Sequence, residues 1–175
     1  MNYENLLLVS GSGRDSGKTT LICRVIEQFS SLGIISVKIS PHFHSPSEGL
    51  IHISGGQGFD IYEETSLLSS KDSSRMLKCG AEKVYYVQSE EEQIMKAFSE
   101  IYGGIPSEQP LICESPALIT YLDPGLFIMM ISEETENPKE MYTEKRLPDL
   151  ELRIIDLTSS SLPIDFINGR WICLK

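Results

Sequence analysis

Gly11-Ser12-Gly13-Arg14-Asp15-Ser16-Gly17-Lys18-Thr19-Thr20 follows the apolar run Leu6-Leu7-Leu8-Val9 and precedes Leu21, Ile22, Val25, Ile26 and Phe29 at helical spacing. The order is strand, glycine-rich loop, helix, the setting that a phosphate-binding loop requires. N–H groups of a first helical turn lack intrahelical partners, and aligned peptide dipoles place partial positive charge there, so the loop offsets the desolvation of a bound polyphosphate. On this reading residues Gly11 to Thr20 cradle ATP or GTP, Lys18 reaches the terminal phosphates, and the Thr19 hydroxyl serves Mg²⁺. Arg14 inside the loop can stabilise charge developing in phosphoryl transfer, and Lys38 and Lys71 can converge on phosphate oxygens from the other side. The strict pattern has four residues between its glycines, whereas five separate Gly11 from Gly17, so the loop is a variant with an acid, Asp15, three positions before the lysine. A glycine-rich turn that binds nothing is the alternative.

The chain has 175 residues, 41% of them hydrophobic, which is enough for one sizeable core and predicts a single nucleotide-binding domain over 1–175. A net charge of −10 repels phosphodiester backbones and anionic membrane surfaces, so neither nucleic acid nor a membrane is an expected partner. Cys23, Cys79, Cys113 and Cys173 form no Cys-x-x-Cys pair and read as reduced, packed thiols. The first residues lack the basic character of a signal peptide, and no apolar run approaches the ~18 residues that span a bilayer. A cytoplasmic protein is expected.

Outward from the loop, apolar periodicity predicts a helix over 17–32 with Gly33 as its stop, then a buried strand over 34–39. Together they form a right-handed parallel strand-helix-strand unit, with Lys38 near the crevice. From Ser40 to about Tyr62 the two prolines, four glycines and three histidines predict a long functional loop with at most a short strand at 50–53. A helix is expected from Lys71-Asp72-Ser73-Ser74, capped by Asp72 or Ser73, to Gly80. Further strands are expected over 83–88, 111–114, 126–131 and 150–157, and a helix opened by Ser89 carries Ile94, Met95, Phe98, Ile101 and Tyr102 on its apolar face. Residues 132–146 read as a charged surface excursion, and 170–174 as an edge strand after the Asn168-Gly169 turn. The sum is an α/β fold, a mainly parallel twisted sheet with helices on both faces.

A magnesium-associated acid typically emerges from the end of a neighbouring strand, and Glu114 fits that description best, ahead of Asp156 and Asp60. A surface glutamate at a strand end is the competing reading. His42, His44 and His52 with Cys79 are the only soft-ligand set, but no third and fourth ligand lies at identifiable spacing, which favours substrate contact or ordinary loop polarity. No Asn-Lys-x-Asp occurs and no Asp-x-x-Gly follows the loop, which argues against a signalling GTPase.

With these residues in place, the chain resembles the P-loop family of molybdopterin-guanine dinucleotide biosynthesis protein B (MobB), within the broader class that includes dethiobiotin synthetase. The resemblance is carried by the loop ending Gly17-Lys18-Thr19-Thr20-Leu21, by Val37-Lys38 followed by Pro41-His42-Phe43-His44, and by Lys71-Asp72-Ser73 followed by Lys78-Cys79-Gly80-Ala81. The family has Val-Glu-Gly where this chain has Cys113-Glu114-Ser115-Pro116, and the resemblance spans roughly residues 5 to 115. It implies a P-loop NTPase fold, a slow NTPase or accessory factor of molybdenum cofactor biosynthesis, and a homodimer. In that role residues 40–62 contact a protein partner or its cargo. The alternatives are an ATP-dependent small-molecule ligase or kinase, in which Lys38 and Glu114 line a carboxylate pocket, and a non-catalytic nucleotide-binding regulatory module.

Overall fold

The computed structural model describes residues 2–13, 15–133, 146–159 and 161–174. The first strand, β1 (Asn2–Gly11), is central because its apolar run has no polar face: Leu6, Leu7, Leu8 and Val9 are all fully buried. A strand covered on both faces suits the middle of a parallel sheet. Parallel neighbours flank it, β6 (Leu111–Glu114) on one side and β7 (Asp123–Met130) on the other. Beyond β6 lie β2 (Ile35–Ser40) and β5 (Lys83–Ser89), and beyond β7 lies the short β8 (Leu150–Leu152), each parallel to the neighbour on its β1 side. The hairpin of β3 (Leu50–Gly56) and β4 (Phe59–Glu64) adds two antiparallel strands beside β5, for a sheet order of β3-β4-β5-β2-β6-β1-β7-β8.

Helices cover both faces. Leu7 and Val9 point toward α1 (Lys18–Gln28) and α2 (Asp72–Lys78), with Leu21, Ile22, Val25, Ile26 and Met76 filling the layer. Leu6 and Leu8 point the other way, against Ile94, Ala97, Phe98 and Ile101 of α3 (Ile94–Tyr102). A separate hairpin, β9 (Ile164–Ile167) and β10 (Arg170–Cys173), closes the first face by inserting Trp171 edge-on to Phe29 at 5.3 Å. Among the described residues no helix is long and apolar enough to cross a membrane.

Three expectations need correction. Residues 40–62 are not one long loop: only 41–49 lack a strand, and the hairpin β3/β4 takes up the rest. Glycines mask it, because Gly49 and Gly58 supply the positive φ that the turns need, while Gly55 and Gly56 belong to the strand β3. The alternation over 150–157 supports a strand only to Leu152; Asp156 then accepts a bond from the Arg153 N–H at 2.6 Å and turns 154–158 into a 3-10 helix. Residues 170–173 do form an edge strand after the Asn168-Gly169 turn, at φ 52° and 76°, paired with β9 in a two-stranded sheet. The helix expected from Lys71 has Lys71 itself at the N-cap, since Ser73 Oγ donates instead to Glu64 at 2.7 Å. The charged excursion lies, for 134–145, outside the described residues.

Gly125 sits where β7 passes β1 beside the register shift between Tyr3 and Leu7. A Cβ there would lie 2.0 Å from the Glu4 carbonyl oxygen, which is backbone and cannot swing aside. Gly125→Ala should therefore force the two strands apart and cost about 1–3 kcal/mol, seen as a lower urea midpoint with unchanged slope.

Candidate functional site

Three adjacent strands end together. Val9 of β1 and Lys38 of β2 are both register partners of Glu114 at the end of β6, so the loop after β1 opens onto the Lys38 and Glu114 side chains. The loop is tightly folded: a Cβ on Gly11 would meet Ser16 Oγ at 2.3 Å, and Gly17 at φ 93° turns the chain into α1. Its outer edge is tied to β7, with the Ser12 N–H donating to Met130 O at 2.9 Å and the Ser132 N–H to Ser12 Oγ at 2.8 Å. Lys18 Nζ folds back over the loop and donates to Gly13 O at 2.8 Å and Ser16 Oγ at 3.2 Å.

Opposite the loop is a charged network. Lys38 Nζ bridges Glu114 Oε1 at 2.5 Å and Asp72 Oδ2 at 2.9 Å, and Thr19 Oγ1 donates to Glu114 Oε2 at 3.3 Å. Asp72 arrives from the first residue of α2, and Arg75 one turn later stands 3.7 Å from its other oxygen. A cleft of about 640 Å³ joins these groups, with Pro41, His42 and Ile154 also in its walls.

Burial draws the Lys18 amine below its ordinary value, against the pull of Glu114 and with the push of Lys38. For Lys38, burial acts downward but the charge and hydrogen bond of Glu114 outweigh it, with help from Asp72, and the amine is raised. Burial acts upward on Asp72, yet the Lys38 hydrogen bond and charge, with Thr19 and Arg75, hold its carboxyl below the usual value. Lys38 and Asp72 are thus ionised at neutral pH, whereas burial disfavours the charge on Lys18 despite the nearby carboxylates, so an arriving anion would help that amine most.

Of the sequence-derived site residues, Gly11, Gly13, Asp15, Ser16, Gly17, Lys18, Thr19, Thr20, Lys38 and Glu114 all line the cleft. Ser12 faces β7 instead, and Arg14 lies outside the described residues. Lys71 is exposed and is not part of the cleft wall; its neighbour Asp72 is. Asp156 is engaged by its own turn, and Asp60 by His52 at 3.1 Å, both away from the cleft. The histidines do not converge: His52 packs against Tyr62, while the rings of His42 and His44 stand 6.1 Å apart. Among the described residues no three His, Cys, Asp or Glu side chains gather into a cation site. A hard divalent cation nevertheless suits the oxygen donors present, the Thr19 hydroxyl and the Glu114 and Asp72 carboxylates, provided phosphate supplies the remaining ligands.

Asp72, Arg75 and Ile154 are the members that sequence reasoning missed. Asp72 was visible only as a helix opener within Lys71-Asp72-Ser73, because its place beside Lys38 depends on how α2 docks. A second cavity, of about 530 Å³, lies at the opposite, amino edge of β7. Its Arg146 is already paired with Asp123 and Asp149, and Arg170 with Glu4.

Fold and site define an α/β protein whose mostly parallel sheet carries a glycine loop, two lysines and three carboxylates in one cleft at its carboxyl edge. No protein-family model, curated protein or solved structure matches the chain.

Proposed function

We propose that the chain is a P-loop protein that binds Mg²⁺ with ATP or GTP and acts as a slow NTPase or accessory factor, similar to the B-protein family, in the cytoplasm. The observation that carries this reading is the Gly11 to Thr20 loop at the β1–α1 junction, with Lys18 and Thr19 facing Glu114 across one cleft. Phosphate oxygens would take the loop N–H groups and draw Lys18 Nζ from Gly13 O and Ser16 Oγ. Mg²⁺, held by Thr19 and Glu114 with Asp72 beside them, supplies neutralisation of phosphate charge. The half-exposed Ile154 side chain offers an apolar wall next to Gly17 that suits a base. Slow turnover fits the place of Lys38, which pairs with Glu114 and Asp72, the carboxylates beside Thr19, and opposes their taking a proton from water.

A second reading, the ligase or kinase, is favoured by one feature. Lys38, His42 and Arg75 give the cleft a cationic and polar wall beyond Thr19, which fits an anionic second substrate. Calorimetric titration with ATP, GTP and inorganic tripolyphosphate, with and without Mg²⁺, tests both. Binding of tripolyphosphate together with a preference for GTP supports the accessory reading, and a preference for ATP with turnover that needs a second anion supports the ligase. No binding of any of the three sinks the phosphate-loop reading.

A further inference from the structure

Behind the loop, α1 and α2 lie side by side, and contacts trace the strip where they meet. The Arg75 guanidinium donates to Thr20 Oγ1 at 3.5 Å, and the bare side of Gly80 faces Ile26, whose Cγ2 would stand 4.0 Å from an added Cβ; between these contacts, the Cys79 thiol adds to burial in raising the Cys23 thiol. Positions 20, 23 and 26 form one face of α1 and meet 75, 79 and 80 in the same order, so the thiol pair sits in the middle of a continuous contact. Both cysteines are free; Cys23 is buried and Cys79, at the end of α2, is half-buried.

We propose that Cys23 and Cys79 are a redox-modification site, closing reversibly into a disulfide that ties the phosphate-loop helix to the helix carrying Asp72. The oxidant is a small disulfide such as oxidised glutathione. Cys79, the accessible member, loses its proton to solvent, and its thiolate attacks one sulfur of the small disulfide; that S–S bond breaks, one thiolate leaves, and a mixed disulfide forms on Cys79. Cys23 then gives up its proton and its sulfur attacks the Cys79 sulfur, which expels the second small thiolate. The two departing thiolates take up the two protons, so two protein thiols are oxidised and one small disulfide becomes two thiols. Burial and the neighbouring Cys79 push the Cys23 thiol up to about 12, and Cys79 is the more accessible of the two, which assigns first attack to Cys79 and leaves Cys23 to react once its partner sulfur is an electrophile. Reversible, signalling disulfides of this kind are the sort that occur in reducing compartments.

Both tied helices begin in the cleft, α1 at Lys18 and Thr19 and α2 at Asp72. The bond would fix their spacing from behind. That functional effect rests on the nucleotide reading above, but formation of the bond does not.

The test treats the full chain with oxidised glutathione, quenches in acid and digests it with trypsin without reductant. The expected product is peptide 19–24 joined to peptide 79–83, two hydrogens lighter than the separate peptides together and lost on reduction. Cys23→Ser should instead retain glutathione on Cys79, and Cys79→Ser should leave Cys23 unmodified. Linkage of Cys79 to Cys173, or glutathione persisting on Cys79 in the unsubstituted chain as it does in Cys23→Ser, would overturn the assignment. Tripolyphosphate affinity of the oxidised chain is read separately, so a failure of the nucleotide reading leaves the peptide result intact.

Discussion

Lys18→Ala is expected to lower affinity for inorganic tripolyphosphate by roughly 30-fold or more. The ammonium is half-buried and its ordinary protonation is opposed by desolvation, while its only described acceptors are Gly13 O and Ser16 Oγ. Truncating one partner of a desolvated charge pair costs about 2–5 kcal/mol, and each 1.4 kcal/mol is about tenfold in affinity. The fold should survive, because Lys18 is the first residue of α1 and contributes nothing to either core cluster. Calorimetry on the variant, with circular dichroism to confirm unchanged helix content, is decisive: unaltered affinity would mean that the loop does not hold phosphate.

Glu114→Ala should be the most destabilising change in the cleft. Glu114 is 3% exposed and accepts from both Lys38 and Thr19, so its removal takes one of two carboxylate partners from a largely buried ammonium and an acceptor from a buried hydroxyl. Breaking a buried pair from one side costs about 3–5 kcal/mol; because Asp72 still pairs with Lys38, the lower end, about 3 kcal/mol, is expected in chemical denaturation. Glu114→Gln, which keeps the shape and much of the hydrogen bonding, separates stability from metal dependence. It should weaken nucleotide binding in the presence of Mg²⁺ more than in its absence. Equal loss in both conditions would assign Glu114 a purely structural role.

The parts of this architecture that were legible beforehand are those with local causes. Leu6 to Val9, the glycine loop and the apolar stripe of α1 announce strand, turn and helix in consecutive residues, and Leu111 to Glu114 shows a buried strand ending in an acid. The hairpin β3/β4 was hidden because β3 has no buried face to alternate with: Ile51 and Ile53 are exposed, and His52 between them is exposed as well. Leu150 to Leu157 carries strand-like alternation, but the bond from the Arg153 N–H to the Asp156 carboxylate redirects the backbone. Asp72 shows in the sequence only as a helix opener, since its pairing with Lys38 exists only when α2 packs beside β2. Lys71 illustrates the reverse error, in which a cation one residue from the cleft points elsewhere.

The position of β1 bears on how the molecule comes into being. Its partners on either side, Leu111–Glu114 and Asp123–Met130, leave the ribosome long after the glycine loop does. Pairings so distant close slowly, and a partial chain ending before β6 owns Lys18 but neither Glu114 nor a neighbour for β1. Capture of an anion by the loop would thus report that synthesis has passed β7, and any ligand that fills the cleft would act late in folding, favouring the finished sheet over every shorter intermediate.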